Sequence, residues 1–221
     1  MSFEGGQTVF TTRRSDCEKV IEELSRISEE IKTCKKCPLA SSRTNTVPGD
    51  GNPCNGIVFI GEAPGRNEDI QGKPFVGAAG AFLTELISMA GLRREEVYIT
   101  NVVKCRPPNN RDPREEEISA CLPFLIRQLS VIQPVLIVTL GRHSTRTIFR
   151  LQGVNVESIT SVRGKIYNFR FPWGECKVFP TLHPAAALYN PQMRKVLEED
   201  FTNLGKTISG KNTQSTLDSF F

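Results

Sequence analysis

No run of apolar residues in this 221-residue chain approaches the roughly 20 that cross a bilayer, so no membrane span is expected. The opening MSFEGGQTVFTTRRSD has no hydrophobic centre of the kind a signal peptide needs, and the expectation is a soluble, cytoplasmic protein. Internal repeats are missing too. Neither sign of charge dominates: 28 basic and 24 acidic residues leave +4, which permits a nucleic-acid partner without requiring one. Histidine is scarce, with only His143 and His183, and GEAPGRNED lacks the G-x-G-x-x-G spacing of a dinucleotide-binding turn. Seven cysteines are present, and in a reducing compartment they read as metal ligands or buried thiols rather than a disulfide framework.

At this length and 38% hydrophobic content the chain fits one sizeable α/β domain with tails. Residues 1–14 read as a flexible arm, 15–204 as the domain and 205–221 as a flexible tail. The stretch from Ile57 to Gly80 organises the rest: Ile57 to Ile60 form a buried strand ending at Gly61, followed by a loop with Glu62, Glu68 and Asp69. Its helix starts near Gly77 and carries Phe82, Leu83, Leu86 and Met89 on one face. Such a loop lies at the carboxyl edge of an open sheet, where ligands bind.

A first helix with Val20, Ile21, Leu24, Ile27 and Ile31 at helical spacing, capped by Ser15 or Asp16, delivers Cys34. Further strands are expected at 97–100, 135–140, 165–169 and 176–179. Pro113 opens a helix that brings in Cys121, another helix lies around His143 to Arg150, and a last one spans roughly Pro191 to Leu204. Strands alternating with helices give a three-layer α/β/α sandwich around a central, mostly parallel four-stranded sheet.

Cys34 and Cys37 form a C-x-x-C pair, whereas Cys105 and Cys121 lie much farther apart, which is not the matched pair of knuckles common in structural zinc sites. Cys17 and Cys176 read as core fillers, with Cys54 left over. The segments CKKCPLA, IGEAPGRNEDIQGKPFVGAAG, TNVVKCRPPNNRDP, the Cys121 position and TLHPAAAL occur in one order across residues 30–204. In these the chain resembles the iron–sulfur, or family 4, uracil-DNA glycosylases. That resemblance implies a [4Fe–4S] cluster on Cys34, Cys37, Cys105 and Cys121, serving a structural role.

The resemblance also implies hydrolysis of the N-glycosidic bond of a flipped-out deoxyuridine, by a monofunctional enzyme that starts base excision repair and works among nucleoid DNA. Phe75 is then the stacking ring, and Asn101 offers a donor and an acceptor to the uracil edge, a pattern cytosine reverses. Gly61, Ala63 and Gly65 line the base site. His183 donates to the charge developing on uracil O2, and Glu62 pairs with Asn110 at the water and sugar, with Glu68 as a second carboxylate. Other uracil glycosylases have an aspartate where this chain has Ala63, so the water is activated differently here. His143 is given no catalytic role.

Leu188, with Tyr189 as substitute, is the candidate wedge in the minor groove, and Arg111, Arg194 and Lys195 are candidate phosphate contacts. Gln214, Leu217, Phe220 and Phe221 resemble the box that binds the sliding clamp PCNA. A monomer is the default. The expected partner is uracil-containing DNA, single- or double-stranded, and the competing reading is a non-catalytic iron–sulfur nucleic-acid-binding module recruited to the clamp. It would need basic and aromatic residues but not the two carboxylates Glu62 and Glu68, Asn101 and His183 on converging loops.

Overall fold

The structure, a computed structural model, describes residues 14–210, so the N-terminal arm and the clamp box at 214–221 fall outside the described residues. Six strands form one sheet in the order β1-β3-β2-β4-β6-β5. Their spans are β1 Asp50–Gly51, β2 Ile57–Gly61, β3 Tyr98–Asn101, β4 Leu136–Leu140, β5 Tyr167–Phe171 and β6 Gly174–Thr181. The four central strands, β3, β2, β4 and β6, run parallel, and the two edge strands pair antiparallel. The expected four-stranded parallel sheet is therefore present, with a two-residue strand added at one edge and the first of the predicted late strands closing the other.

The helices are α1 Arg14–Thr33, α2 Arg66–Gln71, α3 Ala78–Met89, α4 Glu115–Ile132, α5 Arg142–Arg150, α6 Ile159–Val162 and α7 Pro191–Ile208. Two cores sandwich the sheet. On one face Leu24, Ile27 and Ile31 of α1, Leu125 and Leu129 of α4 and Ile148 and Phe149 of α5 meet Val58, Ile60, Ile137 and Val178. On the other, Phe82, Leu83, Leu86 and Ile87 of α3 and Leu197, Phe201 and Leu204 of α7 meet Phe59, Ile99, Val138 and Phe179. Alternate residues of one strand thus face opposite helix layers, which is why β2 and β4 read as unbroken apolar runs.

Several boundaries differ from the sequence expectation. Met89 is exposed rather than on the buried face of α3, and Ile87 takes its place in the core. α1 already includes Arg14, which puts Asp16 in its first turn. Pro113 precedes the cap of α4, which is built by Arg114 and Glu117. α7 continues to Ile208, because Gly205 lets the helix approach the end of α3; a Cβ there would stand 3.1 Å from the Ala90 backbone. Cys17 is no core filler. It forms a disulfide with Cys54, joining α1 to the loop before β2. Closing a loop of this separation, 37 residues, stabilises the fold by about 4 kcal/mol in the chain-entropy model.

The parallel strands end level with one another, Gly61 opposite Asn101 and Leu140 opposite Thr181. The chain leaves β2 toward α3 on one face, while β3 and β4 on either side of it lead to α4 and α5 on the other. This divergence opens a crevice at the end of β2.

Candidate active site

Gly61 ends β2 with no side chain, and the space this leaves is specific. A Cβ at Gly61 would stand 2.3 Å from Asn101 Oδ1 and 2.7 Å from the Phe75 ring. Asn101 is 1% exposed, and among the described residues its Oδ1 has no hydrogen-bond partner. An unmet buried acceptor costs about 1 to 3 kcal/mol, and such groups persist where a ligand completes them.

Phe75 forms the next wall. Its φ of 51° places a bulky residue in the left-handed region, a strain of about 1 to 3 kcal/mol that has to be held from outside. Arg94 Nη2 donates to Pro74 O at 2.8 Å, and Glu68 Oε1 accepts from Val76 N and Gly77 N, both at 2.9 Å. Gly80 leaves room for the Phe75 carbonyl, which a Cβ would meet at 1.9 Å. Glu68, expected as a second catalytic carboxylate, thus holds the turn that aims Phe75. It stands in the first turn of α2, a helix between Gly65 and Gly72 that the sequence reading treated as loop. Asp69 beside it is buried and accepts from Thr44 N and Asn45 N.

His183 follows β6, its ring 5.5 Å from that of Phe75 and inclined 28° to it. Nδ1 accepts from Ala185 N at 3.2 Å, so the ring proton sits on Nε2. Burial pulls its pKa down to about 4, and the nearby Glu68 opposes that only in part. The imidazole is neutral at pH 7 and offers one N–H. Gly141, at the end of β4, lets this loop come close: its Cβ position lies 3.0 Å from His183 Cβ.

Glu62 is half-buried, and its carboxyl pKa is raised to about 7 by burial and by Asp112, with Arg142 opposing. His143 Nε2 lies 3.9 Å from Glu62 Oε2 and 3.6 Å from Asp112 Oδ2. Nε2 also accepts from Arg142 Nε at 3.1 Å, and Arg142 pairs with Asp112. His143, Asp112 and Arg142 are the surroundings of Glu62 that the sequence reading missed. A signal was there: His143 follows the end of β4 much as His183 follows the end of β6, so both histidines reach the same sheet edge.

The remaining expected residues fare differently. Ala63 and Gly65 lie in the loop between Gly61 and α2. Asn110 is exposed, has φ 53°, and its Oδ1 accepts from Arg106 Nε at 2.7 Å. Arg111 is engaged in a bidentate pair with the fully buried Glu117, at 2.6 and 2.8 Å. Arg194 pairs with Glu85 and Glu198 and lies over the Phe82 ring. Both arginines are thus held within the fold. Leu188 and Tyr189 are exposed, 41% and 92%, at the end of the turn that starts after His183.

Cys34, Cys37, Cys105 and Cys121 line one pocket, and all four are free thiols. α1 ends just before Cys34, Cys105 follows β3, and Cys121 lies in α4. Arg43 Nη1 donates to Cys105 Sγ at 3.2 Å, and Lys104 N donates to Cys121 Sγ at 3.3 Å. Among the described residues, the one set of three ligand atoms drawn within 4.8 Å of one another is that of Glu62, Asp112 and His143. No three of the four cysteine sulfurs lie that close together.

Residues 48–204 match the family model described as the uracil DNA glycosylase superfamily. The Type-4 uracil-DNA glycosylase of Sulfurisphaera tokodaii is 60% identical over 83% of this chain and 84% of its own length. That of Saccharolobus solfataricus is 56% identical, covering 90% and 92%. The Archaeoglobus fulgidus protein of the same name is 51% identical, covering 90% and 99%. With most of the chain inside the family model, and relatives this similar along nearly their whole length, the chain belongs to the uracil DNA glycosylase superfamily.

Proposed function

We propose that the protein is a monofunctional uracil-DNA glycosylase, hydrolysing the N-glycosidic bond of a flipped-out deoxyuridine to release uracil and leave an abasic site. The observation that carries this is the unpartnered Asn101 Oδ1, buried between Gly61 and Phe75. It accepts from uracil N3–H, while the amide nitrogen donates to O4; cytosine presents the opposite pattern and leaves buried groups unpaired. Phe75 stacks on the base. As the C–N bond lengthens, electrons move to uracil O2 and His183 Nε2–H donates to the growing charge. Glu62, when ionised, offsets positive charge on the sugar and takes a proton from the attacking water. Exposed Leu188, or Tyr189 beside it, fills the gap left in the duplex.

The four cysteines fit a [4Fe–4S] cluster better than zinc. Tetrahedral zinc would bring sulfurs within about 3.8 Å of each other, and no three of these sulfurs lie within 4.8 Å of one another, whereas a cluster would take each thiolate on a separate iron. The N–H···S bonds to Cys105 and Cys121 suit anionic sulfur. Held there, the cluster ties α1, the segment after β3 and α4 to one point, and Asn101 lies on that strand.

The test uses oligonucleotides carrying one U, incubated with protein and then cleaved with alkali. Strand scission at U and not at C or T is expected on single- and double-stranded substrates. A fully cluster-loaded protein that leaves U intact would overturn the assignment. Gly61→Ala is expected to lose about a hundredfold in the single-turnover rate, since a methyl displaces Asn101 or Phe75 by a fraction of an ångström or more, with the melting temperature lowered by only a few degrees. Gln214, Leu217, Phe220 and Phe221 further support recruitment by the sliding clamp. Deleting residues 214–221 should leave glycosylase activity intact and abolish clamp binding by calorimetry; equal clamp affinity in the truncated chain refutes that part.

A further inference from the structure

Lys104 is among the largest fully buried side chains, 1% exposed, and the chemistry above gives it no part. Its ammonium donates to Thr100 Oγ1 at 2.6 Å and to Asn101 O at 2.7 Å. Both acceptors are neutral. Among the described residues no carboxylate pairs with it, and a buried ammonium without an anion costs several kcal/mol. The side chain also lines the pocket of the four cysteines, whose walls hold Lys36, Arg43 and Lys104 but no acid. Across that pocket Arg43 reaches Cys105 Sγ, and the Lys104 amide reaches Cys121 Sγ.

We propose that Lys104 is a two-ended positioning residue: its ammonium is the buried counter-charge of the thiolate-bound cluster, and the same nitrogen fixes the Asn101 end of β3, from which uracil is read. This rests on the cluster reading of the cysteines. Four thiolates outweigh the positive charge of the core, so the bound group is a net anion that Lys104 and Arg43 offset from two sides. A positive charge lining a dry pocket favours the electron-rich form of a cluster bound there, whereas the exposed Lys36, which lies over the Phe124 ring at the pocket wall, has solvent to screen it.

Two variants separate the two ends. Lys104→Gln removes the charge and keeps amide donors for Thr100 and Asn101; Lys104→Met removes both. Iron content and absorbance establish cluster loading of wild type and variants, and voltammetry with one electron supplied by the electrode gives the midpoint. Lys104→Gln should shift the midpoint down by about 59 mV, a tenfold change in the one-electron equilibrium, with free-uracil affinity close to wild type. Lys104→Met should show the same midpoint shift and bind uracil about tenfold more weakly. Lys36→Met, as control, should leave both unchanged. A folded Lys104→Gln protein that fails to load iron also supports the counter-charge role. An unchanged midpoint in loaded Lys104→Gln overturns the proposal even if glycosylase activity stands; wild type that carries zinc or no iron removes the cluster reading, and the proposal with it.

Discussion

Replacing His183 by alanine is expected to lower the single-turnover rate of uracil release by about a hundred- to a thousandfold, the usual cost of losing one preorganised donor to developing negative charge. Binding of uracil-containing DNA should change much less, because the charge on O2 appears only as the bond breaks. The tautomer makes this a prediction about a neutral donor: Ala185 N–H occupies Nδ1, which leaves the proton on Nε2. Burial holds the imidazole neutral down to about pH 4, so no limb of the pH–rate profile between pH 5 and 9 should belong to His183. His183→Gln, which restores an N–H of similar reach, should recover part of the lost rate. A rate within threefold of wild type for the alanine variant would remove His183 from the reaction.

The strand ends were legible because buried parallel strands are apolar on both faces, so Ile57–Ile60 and Val135–Leu140 stand out without any alternation. Two-residue β1 and four-residue α6 leave no such trace, and their places follow from pairing and loop closure. The α2 stretch reads as loop for a related reason. Six residues between two glycines, with Ile70 exposed, have no apolar stripe, so the helix that makes Glu68 a support for Phe75 was hidden. Residues at strand ends and in the loops beyond them, such as Phe75, Asn101 and His183, could be picked out through motif order, and they do converge at one sheet edge. What sequence did not carry is the partnership of residues far apart in the chain. Arg111 looks like a phosphate contact until Glu117 is seen to be buried beneath it. Cys17 looks like a core residue until Cys54 is found beside it, and His143 looks like a helix start until Glu62 faces it. Each depends on packing between elements, which local pattern does not encode.

Glu62 gives the other large effect, and it is written in the pH profile. With its carboxyl raised to about 7, the ionised form dominates only above neutrality, so the wild-type rate should rise about tenfold per pH unit on the acid side and level off beyond 7. Glu62→Gln should be flat in pH and lie about a hundredfold or more below the plateau. Asp112→Asn removes the repulsion that adds to burial, and its acid limb should move to lower pH; Arg142→Met removes the opposing cation, and its limb should move higher. A wild-type limb that Asp112→Asn does not shift would assign that limb to another group. Stability should move against activity. A carboxyl whose folded pKa lies above its unfolded value contributes stability below the unfolded pKa and loses it as pH rises through the folded one. Ionising Glu62 therefore costs the fold roughly 2 to 4 kcal/mol between about pH 4 and 8. Glu62→Gln carries no such cost, so its melting temperature should exceed that of wild type above pH 7, and the difference should vanish toward pH 4. The carboxylate that serves the reaction is then held in a site that would be more stable without its charge.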